Sequence, residues 1–144
     1  LNVRERARHR LDILARQLER TGLSDPSVLT EGTPPGRAAL RSRVETAVAG
    51  AGLSEVLADA RTRFRDWVEG AYNRSRADLK AIGWNYAGRM GPVEDRVDVY
   101  LAVDDAVLAT VAHEVVSEDD RQALLEPYLR MMAIHPRRST RTEA

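Results

Sequence analysis

His113-Glu114 begins as a zinc-protease helix does, where a second His four residues on shares the metal with the first. Position 117 is Ser, so that ligand pair is missing. The three His, at 9, 113 and 135, are far apart in sequence, and the absence of Cys removes thiolate ligands, disulfides and a Cys nucleophile. No metal is expected. Gly83-Trp84-Asn85-Tyr86-Ala87-Gly88-Arg89-Met90 has the glycine spacing of a phosphate loop. It lacks the Lys and the Ser/Thr that grip phosphate and magnesium, and it follows a helical pattern where that loop must follow a strand. Nucleotide hydrolysis is therefore rejected, and no cofactor is expected. What the segment does place on one connection is Trp84, Asn85, Tyr86 and Arg89. They form either an inter-helix turn whose aromatics close the end of the core or the lip of a ligand site.

Polar residues on apolar helical faces carry more information. At about 100° per residue, Asp104 falls at the centre of the stripe made by Val97, Tyr100, Leu108 and Val111. Arg121 aligns with Leu125, Tyr128 and Met132, and Ser75 and Asp78 interrupt the stripe between Ala71 and Ile82. A charge on a core face must be paired, hydrated or neutralised. One solution is a structural pair, Asp104–Arg121 or Asp78–Arg121. The other is a polar pocket for a ligand, with Asp78, Trp84, Tyr86, Arg89, Asp104 and Arg121 as its residues. Asp104 as a general base beside His113 is a weaker idea, because nine residues of helix set them about 13.5 Å apart along the axis. Glu94, Asp98 and Asp105 share another face, as the carboxylates of four-helix metal sites do, while Glu94-Asp95-Asp98 and Glu118-Asp119-Asp120 are read as solvated faces and as charges that suit helix N-termini. No Glu-x-x-His unit of the four-helix metal sites occurs.

The elements that must hold these residues are helical by period. Val3, Ala7, Leu11, Leu14 and Leu18 make one stripe, with Asn2 as cap and Gly22 as stop, so a first helix is predicted over 3–21. Ser24-Asp25-Pro26 starts a single extra turn. Thr33 is expected to cap a second helix, with Pro34 in its first turn, apolar side at Leu40, Val44, Ala47, Val48 and Ala51, and its end at Gly50 and Gly52. A third helix, over 54–82, follows Ser54 and carries Leu57, Ala60, Phe64, Trp67, Val68, Ala71 and Leu79, with Gly70 as its weak point. A fourth begins near Val93. Its segment 97–103 alternates partly like a strand, but a strand would have no partner in this chain. Ser117 with Asp120 opens the last helix in the manner of a capping box, and Pro127 should kink or split it.

The fold expected is all-α, a bundle of four main helices with a long central helix 3 and a short extra turn after helix 1. Residues 1–136 form one domain and 137–144 a flexible Arg-rich tail. The 144 residues, 43% hydrophobic and 31% charged, are enough for a core without disulfides or metal. The longest run free of Asp, Glu, Lys and Arg is 46–54, well short of the roughly 18 residues of a membrane span. The Arg-rich start has no apolar leader, so a cytoplasmic setting is expected. A start at Leu1 rather than Met is what a piece of a longer chain would show.

Lys80 is the one lysine among 22 basic residues, a bias that a GC-rich bacterial genome explains and that anion recognition by Arg would also use. Net charge is zero but unevenly spread: +4 over 1–43, +1 over 44–91, −7 over 92–136 and +2 over 137–144. The two ends should attract each other, within one bundle or between copies. With no catalytic constellation, the first functional reading is a non-enzymatic helical interaction or regulatory module. A homodimer through Phe64, Trp67 and Tyr72 of the long helix is expected. The second reading is a small-molecule-binding bundle using the polar pocket. The third, nucleic-acid contact by the basic first helix, is disfavoured by zero net charge and by the lack of a helix-turn-helix.

Overall fold

The computed structural model describes residues 2–21, 36–81 and 93–133, with side chains at 2–21, 36–71, 73 and 99–132. Among these residues there are five α-helices and no strand: α1 Val3–Thr21, α2 Arg37–Gly50, α3 Ser54–Ala81, α4 Val93–Val111 and α5 Glu118–Ala133. The protein is all-α. No helix among the described residues is long and apolar enough to cross a membrane. The extra turn expected near Pro26, the Trp84 loop and the tail lie outside the described residues.

α1 forms as its stripe predicts. Ala7, Leu11, Leu14 and Leu18 are buried. Asn2 Oδ1 accepts the Glu5 N–H at 2.9 Å, a side-chain cap for one of the N–H groups that the first turn leaves unpaired. α2 starts at Arg37 with Gly36, at φ 82°, in the cap position, so it is not the helix expected to be capped by Thr33 with Pro34 in its first turn; a left-handed Gly36 cannot lie inside it. It ends in a Schellman motif. Gly52 takes φ 74°. The Gly52 N–H donates to Ala49 O at 3.1 Å and the Leu53 N–H to Val48 O at 3.0 Å. Leu53 and Val48 are fully buried, the apolar contact that accompanies this cap. α3 follows at once and runs unbroken through Gly70 for 28 residues, about 42 Å at 1.5 Å each. Val56, Leu57, Ala60, Phe64 and Val68 are its buried side.

The longest helix is α3, but the central one is α4, which packs against α1, α2, α3 and α5. From Val99 to Ala112, Val99, Ala102, Val103, Ala106, Val107, Leu108, Ala109, Val111 and Ala112 are all buried. A helix that is apolar nearly all round belongs inside, and this one is helical through 97–103, where partial alternation resembled a strand. After α4, a turn at Ala112–Val116 closes with Val115 N–H donating to Ala112 O at 2.9 Å. Ser117 Oγ then accepts the Asp120 N–H at 3.2 Å and starts α5. Pro127 lies inside α5 without ending it.

Candidate functional site

Among the described residues, the helices bring together an ionic cluster around Asp104 and Asp105. Asp104 and Asp105 are consecutive on α4 and therefore point about 100° apart. Their partners come from α2 and α3. Arg37 and Arg41 lie one turn apart at the start of α2, where a cation opposes the helix dipole. No acid occupies that first turn. The arrangement is stable because the carboxylates of α4 face it.

Asp105, 3% exposed, is the buried member. Its Oδ2 accepts Arg37 Nε at 2.8 Å and lies 2.7 Å from Arg37 Nη2, so two guanidinium nitrogens converge on one oxygen. Arg41 Nε is 2.7 Å from Asp105 Oδ1. That contact is close but off the N–H axis, an ion pair rather than an aligned hydrogen bond. Burial pushes the Asp105 carboxyl above its ordinary value, against the pull of Arg37 and Arg41. The remaining Arg37 donors go to α5: Nη1 to Ala123 O at 2.7 Å and Nη2 to Leu124 O at 2.6 Å.

Asp104 is half-buried at the edge of the same cluster. Its Oδ2 accepts Arg41 Nη2 at 2.8 Å and Arg61 Nη2 at 3.2 Å, and its Oδ1 accepts Arg61 Nε at 3.0 Å. Arg61 Nη1 reaches Glu45 at 2.9 Å. Burial alone would lower the Arg61 guanidinium, but Asp104 and Glu45 outweigh it and hold the group above its ordinary value.

A cleft of about 260 Å³ opens beside Asp104 between α3 and α4. Its rim is charged, with Arg41, Arg61, Arg65 and Asp104. Its floor is apolar, with buried Phe64, Val68 and Val103. Tyr100 and Leu101 complete the α4 side.

A second cluster ties the other end of α4 to α1. Glu114 accepts Arg6 Nε at 2.7 Å, Arg6 Nη2 at 2.9 Å and Arg10 Nη1 at 2.7 Å. These two guanidinium groups hold the Glu114 carboxyl down to about 2. Next to it, burial lowers His113, helped by Arg10 and Arg121 and opposed by Glu114.

The residues singled out from the sequence divide accordingly. Asp104 is at a polar site, but Arg121 is not its partner. Arg121 Nη1 donates to His113 O at 3.1 Å, closing the turn after α4. Neither residue of the proposed Asp104–Arg121 pair touches the other, because Asp104 is drawn to α2 and α3 instead. Asp105, which shares a face with Glu94 and Asp98 by period, is the buried acid. Trp84, Tyr86, Arg89 and the side chain of Asp78 lie outside the described residues. Phe64 is 3% exposed and Trp67 packs partly against the core, so Phe64 is used inside the chain rather than at a dimer face. Tyr72's side chain lies outside the described residues. Arg37, Arg41 and Arg61 were missed. The readable signal was a pair of cations one turn apart at a helix start with no acid among them.

Among the described residues, no group of three or more His, Asp or Glu converges as metal ligands would. Compared with known protein families, curated proteins and solved structures, the chain matches none.

Proposed function

We propose that this chain is a non-catalytic helical bundle that binds a small molecule in the cleft beside Asp104. The observation that carries this reading is the combination in that cleft of a charged rim and an apolar floor. Small-molecule sites are concave and mostly apolar, with a few polar groups that fix orientation. At about 260 Å³ the cleft suits a compact molecule, below the drug-sized range. Catalysis is not proposed because Asp104, Asp105 and Glu114, the acids that the fold gathers, are each held by two Arg. A general base needs a lone pair to offer a substrate proton.

A helical interaction or regulatory module is the second reading. Leu129 on α5, 49% exposed beside half-buried Leu125 and Met132, favours it. The segregated charge supports it less than the sequence suggests, because much of it is spent inside the chain. Arg6, Arg10, Arg37, Arg41 and Arg43 reach Glu114, Asp104, Asp105 and Asp120. The same pairing draws on the cations that nucleic-acid contact by α1 would need.

Native mass spectrometry of the cell-derived chain, in mild and denaturing spray, tests the first reading. The expected result is a small mass retained in mild spray and lost from Leu101→Trp, which fills the cleft mouth. A bare dimer, with the Leu101→Trp spectrum unchanged, would favour the interaction module instead.

A further inference from the structure

The charges around the cleft do not balance evenly, and the imbalance names a ligand class. Asp104 has both oxygens occupied by Arg41 and Arg61. Arg41 and Arg61 are in turn matched by Asp104, Asp105 and Glu45. Arg65 is the exception. It stands on α3 one turn beyond Arg61, is exposed, lines the cleft, and has no hydrogen-bond or ion-pair partner among the described residues. Phe64 and Val68, its neighbours on α3, form apolar floor within reach of the same guanidinium.

We propose that the cleft binds a small organic monocarboxylate, with its carboxylate on Arg65 and its apolar body on the floor made by Phe64, Val68 and Val103. The proposal rests on the reading of the cleft as a ligand site. A planar guanidinium matches a carboxylate in two parallel hydrogen bonds, which an ammonium cannot do. An organic cation has no comparable anchor, because both Asp104 oxygens already accept from Arg41 and Arg61 and these two guanidinium groups stand against it. A dianion exceeds the one positive charge left uncompensated among the described residues of the cleft. The apolar floor disfavours an inorganic anion, which would leave it wet.

The test is titration of the full chain, followed by NMR of its Val and Leu methyl groups. The probes are hexanoate, hexanol and hexylammonium, against wild type and Arg65→Glu. Arg65 is exposed and makes no hydrogen bond or ion pair among the described residues, so Arg65→Glu should keep the wild-type circular dichroism spectrum. Hexanoate should shift the Val68, Leu101 and Val103 signals in a saturable way, and Arg65→Glu should weaken it about fivefold or more. Hexanol and hexylammonium should bind more weakly than hexanoate. If hexanol binds as well as hexanoate, or if Arg65→Glu has no effect, the carboxylate assignment is wrong while the cleft stands as a site. Preference for hexylammonium would also overturn it, with Asp104 as the anchor. If no probe moves these signals, both the ligand class and the cleft reading fail.

Discussion

The Arg37 guanidinium supplies on α5 the hydrogen bond that Pro127 removes. In an uninterrupted helix the carbonyl of Ala123 accepts the N–H of residue 127. Proline has none. Arg37 Nη1 donates to Ala123 O at 2.7 Å in its place, and Nη2 reaches the next carbonyl, Leu124, at 2.6 Å. This accounts for α5 continuing from Glu118 to Ala133 across an interior proline. It also predicts energetic coupling. Arg37→Met should cost less in a Pro127→Ala background, where the helix can supply its own donor, than in wild type. A double-mutant cycle by urea unfolding should give a coupling of about 1 kcal/mol. Additive effects would mean that Arg37 does not serve the proline.

Arg37 also neutralises Asp105 in the core. Arg37→Met alone leaves that carboxylate buried with Arg41 off-axis to it, and should destabilise by about 3–5 kcal/mol. Adding Asp105→Leu removes the stranded charge and should recover a large part of that loss, read as the shift of the urea midpoint. A double variant as unstable as the single one would place the cost in the two α5 carbonyls instead.

Acid should weaken the pairing at Glu114. Arg6 and Arg10 depress its carboxyl from 4.5 to about 2. A depressed acid stabilises above its unfolded value, and that contribution is lost as pH falls through the folded one. The loss from this pair therefore runs from about pH 4.5 down to about pH 2. Asp105 has the opposite sign. Its folded value is raised, so protonation favours the folded state as pH falls through that value. Thermal melts across this range should show a shallower acid loss in Glu114→Gln than in wild type. An unchanged acid limb would show that the three hydrogen bonds do not persist in solution.

Gly52 carries the corner between α2 and α3 at φ 74°. A Cβ placed there meets nothing within 4 Å, so any cost of Gly52→Ala is backbone strain rather than a clash. The expected destabilisation is about 1–2 kcal/mol, with Gly52→Asn losing less, since Asn tolerates this conformation better. Equal effects of the two would argue against strain as the cause.

The apolar stripes of α1 and α3 were legible, since each faces the core on one side. Leu11, Leu14 and Leu18, and Leu57, Phe64 and Val68, are buried where the period puts them. So were the caps at Asn2 and Ser117 and the stop at Gly52. α4 was misread because assigning one apolar face presumes that the other meets solvent. From Val99 to Ala112 it is buried on nearly every side, so Asp105 is buried although it lies off the stripe that the period picks out. Residues 99–112 hold only two charges, and that sparsity was the available sign of a buried helix. The partners of Asp104 could not be read, because they depend on which side of α4 meets α2 and α3. Periodicity within one helix does not encode that.

The central place of α4 also bears on how the chain comes off the ribosome. α1, α2 and α3 emerge first, while the helix that they all pack on is encoded by residues 93–111. At roughly 5–20 residues per second, their apolar sides wait several seconds for it. Closing Arg6 and Arg10 onto Glu114 joins residues more than a hundred positions apart. Such non-local closure slows folding relative to bundles whose neighbours are consecutive. The nascent first half is thus the interval in which this protein is most exposed to aggregation and has most use for a chaperone.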